Sequence, residues 1–122
     1  TLPNAPSPRV LRVTVNWSSE RPGGPRWKEK PGIASAGASE RAGGLAVHLP
    51  IQTDPSALVA GIDALLLPGG DDFPSDRPLP EGVKLDLAPA EQIAFDAALL
   101  AAARARGKPV LGICYGMQLL AR

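Results

Sequence analysis

Short apolar runs recur along this chain, each closed by glycine, proline or a polar residue. Val10-Leu11-Arg12-Val13-Thr14-Val15 is apolar and β-branched, which predicts a first strand ended by Asn16-Trp17-Ser18. Leu45-Ala46-Val47-His48-Leu49-Pro50 predicts a second. Ile62-Asp63-Ala64-Leu65-Leu66-Leu67 predicts a third, with the near-continuous apolar character of a parallel strand buried on both faces. Val110, Leu111 and Ile113 read as a fourth buried strand. Helical stretches separate them. Ile33 to Ala42 has helix-compatible composition. Asp54 is a good N-cap with Pro55 at the first helical position, and Gly61 ends that short helix. From Ala90 to Arg106, Ile93, Ala97 and Leu100 with Leu99 and Ala103 give helical spacing. Arg104 and Arg106 suit its C-terminus and Gly107 its cap. A last helical pattern follows Cys114.

Strand and helix therefore alternate four times. That order predicts an α/β fold with a parallel sheet and right-handed crossovers. The strands end at Asn16, Leu49, Leu67 and Ile113, so these ends share one edge of the sheet. Open α/β sheets place their sites at that edge. Two loops reach it. Residues 18–32 hold three prolines, three glycines, four basic and two acidic residues, which forbids regular structure. This loop is either a solvated segment or a cover for a substrate site, with Arg21 or Arg26 meeting a carboxylate. The second loop, 71–89, is rich in proline and acidic residues and is a candidate pocket wall. Residues 1–8 predict an extended tail.

The chemistry centres on the only cysteine. Gly112-Ile113-Cys114-Tyr115-Gly116 joins a strand to a helix through a sharp corner, the arrangement of a nucleophile elbow. Gly112 and Gly116 lack a Cβ and let the backbone pack closely around the turn. Cys114 then sits at a helix N-terminus, a setting that favours a thiolate. The other reading is a small buried cysteine after a core strand; the flanking glycines favour the nucleophile. Pro68-Gly69-Gly70 stops the third strand abruptly. A backbone N–H of Gly69 or Gly70 and that of Tyr115, the residue after the nucleophile, are candidate oxyanion donors. A plain turn is the alternative for 68–70. His48, the only histidine, lies inside a strand and is read as structural.

Composition narrows the setting. With 122 residues and 44% hydrophobic content there is room for one modest packed domain. A net charge of +1 does not imply nucleic acid. One cysteine makes no internal disulfide, and no apolar run of about 18 residues or opening signal peptide is present. These features predict a cytoplasmic protein without membrane association. No metal or cofactor site is visible.

Two motifs carry a resemblance. Gly112-Ile113-Cys114-Tyr115-Gly116-Met117-Gln118 resembles the nucleophile motif of class I glutamine amidotransferases. Leu65-Leu66-Leu67-Pro68-Gly69-Gly70-Asp71-Asp72 resembles their oxyanion loop. The γ-glutamyl hydrolase branch, peptidase C26, is the nearest in pattern, supported by Gly107-Lys108-Pro109-Val110 and by Arg41-Ala42-Gly43-Gly44 after the first helix. The resemblance covers roughly residues 9–122 and implies a three-layer, flavodoxin-like fold, of which this chain is the N-terminal half. It implies hydrolysis of a glutamine or γ-glutamyl amide through a thioester on Cys114. Asn16, Asp71, Asp72 and Gln118 are the candidate substrate-binding residues. The family's base is a His-x-Glu pair beyond the cysteine, so a C-terminal half or second polypeptide is the expected partner, and a homodimer is a further expectation. Tyr115 departs from the branch, which often has arginine there. A non-catalytic scaffold module and the glutaminase part of an ammonia-channelling synthase are the alternatives.

Overall fold

A computed structural model describes residues 10–13, 31–52 and 54–122, with side chains described for 36–52 and 54–122. The expected tail at 1–8, Asn16, Arg21, Arg26 and most of the basic loop lie outside the described residues. In chain order the elements are β1 (Val10–Val13), α1 (Pro31–Arg41), β2 (Leu45–His48), α2 (Ser56–Ala60), β3 (Ala64–Leu67), α3 (Ala90–Ala105), β4 (Val110–Gly112) and α4 (Tyr115–Leu120). All strand pairings are parallel, in the order β2-β1-β3-β4. The chain moves outward from β1 to β2, then crosses back to β3 and on to β4. The switch point lies between β1 and β3, and the C-terminal edge there is where such sheets form crevices.

Local chemistry sets the boundaries. Pro31 opens α1, although sequence places it with Gly32 in the preceding loop. Proline suits the first helical turn because its missing N–H would have had no partner there. Both α1 and α3 end in a Schellman motif. Gly43, at φ 90°, donates to the Glu40 carbonyl, and Gly44 donates to Ser39. Gly107, at φ 64°, donates to Arg104, and Lys108 to Ala103. In each case glycine takes the left-handed position at no Cβ cost. Ahead of α2, Asp54 Oδ1 accepts the Ser56 N–H at 2.9 Å. That bond holds the Asp54 carboxyl below its ordinary pKa.

The core lies between the sheet and the face carrying α2, α3 and α4. Leu65 and Leu67 pack with Val59, Ile62, Phe95, Leu99, Leu100, Ala103 and Leu119. Leu66 is also buried, and strand alternation puts it on the opposite face. Helix α1 packs on β1 and β2, whereas α3 and α4 pack on β3 and β4. Right-handed crossovers place α1 on the far side of the sheet from α3.

Two expectations need correction. The buried stripe of α3 runs through Gln92, Phe95, Asp96, Leu99, Leu100 and Ala103. Ala97 is exposed and Ile93 only half-buried, so the inward face is turned from the one marked by Ile93 and Ala97. The apolar 93–97–100 spacing missed it because two polar residues occupy inward positions. The fourth strand is covered on one face only. Leu111 is 59% and Ile113 46% exposed. Both have the parity of Leu66, and among the described residues α1 covers only the other half of that face.

Candidate active site

Leu67 pairs with Gly112, so β3 and β4 leave the sheet side by side. Two residues further on stand Gly69 and Cys114. Cys114 has φ 51° and ψ −106° and is the only described non-glycine residue at positive φ. Such a backbone costs on the order of 1–3 kcal/mol and persists only where its surroundings over-determine it. Here they do. The Ile113 N–H donates to the Leu67 carbonyl at 2.9 Å, binding the elbow to the end of β3. Gly116 N–H donates to Ile113 and Gln118 N–H to the Cys114 carbonyl, closing the first turn of α4. A Cβ on Gly112 would lie 2.6 Å from the Gly116 backbone, and one on Gly116 would run into the Leu67 carbonyl. The two glycines let α4 start directly against β3. The corner turns the Cys114 side chain into solvent, where it is exposed and in no disulfide.

The side chain after Cys114 is the anchor. Tyr115 is 2% exposed. Its hydroxyl donates to Asp96 Oδ2 at 2.9 Å, and Gln92 Nε2 donates to Asp96 Oδ1 at 3.0 Å. The Tyr115 ring stacks on Phe73 with centroids 4.6 Å apart and planes 1° from parallel. The Arg122 guanidinium lies 4.5 Å from the Phe73 ring centre. Burial pushes the Asp96 carboxyl up to about 6, against the opposing pull of its two hydrogen bonds. Sequence reasoning passed over Asp96, Gln92 and Phe73. The signal was present: Gln92, Phe95, Asp96, Leu99 and Ala103 follow helical spacing, with two polar residues on the apolar stripe.

Other candidates are placed as follows. Pro68 is buried, Gly69 half-buried and Gly70 exposed beside the elbow. Asp71 is half-buried. Asp72 clasps its own loop: its N–H donates to the Asp86 carbonyl, its Oδ2 accepts the Asp86 N–H at 2.9 Å, and its carbonyl accepts the Ala88 N–H. Gln118 is exposed one turn along α4. His48 ends β2, at the opposite side of the sheet from β4. Three strand spacings, about 14 Å, separate those strands, so His48 does not reach Cys114 as a base. A groove of about 380 Å³ lined by Ile51, Gln52, Glu91, Ala94 and Phe95 opens near the same edge. Among the described residues, no group of His, Cys, Asp or Glu side chains could hold a metal ion, and no helix is long and apolar enough to cross a membrane.

The sequence pattern of the Peptidase C26 family matches residues 18–122, a span that contains the elbow and the Gly-Gly turn. The chain belongs to that family, within the class I glutamine amidotransferase superfamily. It is 38% identical over 89 residues to Protein NtpR of Enterococcus hirae, covering 68% of this chain and 36% of NtpR. It is 37% identical over 82 residues to a putative glutamine amidotransferase-like protein, RP404, of Rickettsia prowazekii, covering 65% of this chain and 29% of that protein. The chain thus spans about a third of the length of these curated relatives. Peptidase C26 membership points to amide-bond hydrolase or amidotransferase chemistry in general.

Proposed function

We propose that residues 9–122 are the N-terminal half of a cysteine amidohydrolase that cleaves a glutamine or γ-glutamyl amide. The observation that carries this is the strained, exposed Cys114 at a corner where neither Gly112 nor Gly116 has room for a Cβ. The Cys114 sulfur attacks the side-chain amide carbonyl carbon. The resulting oxyanion is held by the Tyr115 N–H and by that of Gly69 or Gly70; losing one such donor costs about 2.7–4 kcal/mol of transition-state stabilisation. The C–N bond breaks, the amine leaves with a proton, and a γ-glutamyl thioester remains. Water attacks the thioester, releases glutamate and restores the thiol. The proton transfers fall to a His-x-Glu pair on a C-terminal half or second polypeptide. Asn16, Asp71 and Gln118 are substrate-binding candidates, whereas Asp72 acts first as a loop clasp. A reducing cytoplasm suits a lone nucleophilic thiol.

In the full-length protein, Cys114→Ala abolishes glutamate release from γ-glutamyl amides, and hydroxylamine traps the wild-type thioester as a hydroxamate. Undiminished release from the alanine variant would sink the reading. A second reading has one observation behind it. Leu111 and Ile113 at β4 and Met117 on α4, the last 57% exposed, are bare apolar side chains, and among the described residues β4 has no strand on its outer side. An unpaired edge invites association, which suits a non-catalytic scaffold module, a homodimer or a glutaminase docked on a synthase. A module of the first kind binds its partner equally well with Cys114→Ala and has no thioester to trap.

A further inference from the structure

Two groups must stand still for this chemistry: the Tyr115 N–H and the turn at Gly69-Gly70. They belong to different segments, and a single side chain touches the supports of both. The Tyr115 ring stacks face to face on Phe73, three residues after Gly70 in the same loop. The Tyr115 hydroxyl reaches the other way, to Asp96 on α3. Asp96 is 1% exposed and is held from its second oxygen by Gln92. A buried carboxylate is costly unless its bonds are made; ionised, it accepts from both neighbours. The Asp96 carboxyl lies far from solvent and is itself unsuited to touch substrate. Among the described residues, its hydrogen bond toward the elbow is the one from the Tyr115 hydroxyl.

We propose that Asp96 is a positioning residue for the cysteine chemistry, acting through the Tyr115 hydroxyl to hold both oxyanion donors in register. The bond that the Tyr115 hydroxyl donates to Asp96 fixes the direction of the Tyr115 ring. The fixed ring sets the Tyr115 backbone at the first position of α4. Its stack on Phe73 pins the loop leaving Gly69-Gly70. The helix α4 has only six residues and by itself orients its first residue weakly, so the side-chain anchor adds to the constraint from the Ile113–Leu67 bond and the Gly116 packing. The inference rests on the amidohydrolase reading.

The test uses full-length protein and two reagents for the Cys114 thiol. A γ-glutamyl chloromethyl ketone passes through a tetrahedral oxyanion adduct and needs the donors. Iodoacetamide alkylates the same thiol without one. The rate ratio of the two reagents therefore reads donor placement apart from thiol exposure. Tyr115→Phe keeps the ring and its stack but loses the hydroxyl; it lowers the ratio about tenfold or more, since small misplacements cost this much. Asp96→Ala does the same. Asp96→Asn keeps an oxygen acceptor for the hydroxyl and restores the ratio to within about threefold of wild type. For glutamate release, Tyr115→Phe and Asp96→Ala lower kcat while KM stays within about twofold, because the lost interaction belongs to the transition state. If Asp96→Ala does not fold, Tyr115→Phe and Asp96→Asn carry the test. A wild-type ratio in folded Tyr115→Phe overturns the proposal, as does an Asp96→Asn no better than Tyr115→Phe. A wild-type protein that the chloromethyl ketone does not label faster than iodoacetamide overturns the amidohydrolase reading instead.

Discussion

Strands β3 and β4 are neighbours in one sheet, both apolar, and their leucines differ completely in environment. Leu66 and Leu111 are register partners with side chains on the same face. Leu66 is buried and Leu111 is 59% exposed. On the other face the two strands are alike: Leu65, Leu67 and Val110 all meet the core under α3. The difference lies on the face shared by Leu66 and Leu111, which is closed at β3 and open at β4. An apolar run states that a strand is compatible with burial on two faces. It does not state that both covers are present on the same stretch of chain.

Substitution sharpens this comparison. Leu67→Ala removes a fully buried side chain beneath the elbow, and costs about 2–5 kcal/mol in urea unfolding. The same change at Leu111 stays within about 0.5 kcal/mol, as exposed sites do. Equal losses at the two positions would mean that β4 is covered in solution, and that the contrast belongs to an assembled state.

The next largest effect lies on the shared core side. Asp96 has its carboxyl raised from 3.8 to about 6 when folded. The folded state therefore binds a proton that the unfolded chain has released. Its contribution to stability is full below about pH 4 and is lost as pH rises through 6, a decline of about 3 kcal/mol. Asp96→Asn cannot titrate, so thermal melts of that variant lack this decline between pH 4 and 6.5. An unchanged pH profile would show that another group is responsible.

The smallest effect is at the corner itself. Cys114→Gly relieves the positive φ and stabilises the protein by about 1 kcal/mol while removing the thiol. Destabilisation would mean that the elbow is not strained at that residue.

Much of this was legible along the chain because the deciding interactions are local. Gly43 and Gly107 mark helix ends because only a residue without a Cβ takes the left-handed position cheaply. Asp54 marks the start of α2 because its oxygen bonds the N–H of Ser56, although Pro55 rather than Asp54 takes the cap position and the helix begins at Ser56. The elbow was visible because a strand, a cysteine and two glycines lie within a few residues. The inward face of α3 was not. Helical spacing can locate an apolar stripe, but Gln92 and Asp96 are inward because Tyr115 and Asp96 find each other across the fold. No local rule brings a residue on one helix to a partner nineteen positions away.

The sequence by itself thus determined the alternation of strand and helix, the parallel sheet, the caps and the corner that presents Cys114. Each rests on backbone conformations that a few adjacent residues set. Tertiary structure decided that Tyr115 is a buried anchor, that Asp96 is a carboxyl group in the core, and that Leu111 and Ile113 are bare. Burial and desolvation depend on what packs from elsewhere in the chain, and an apolar or polar residue carries no record of which neighbour will arrive.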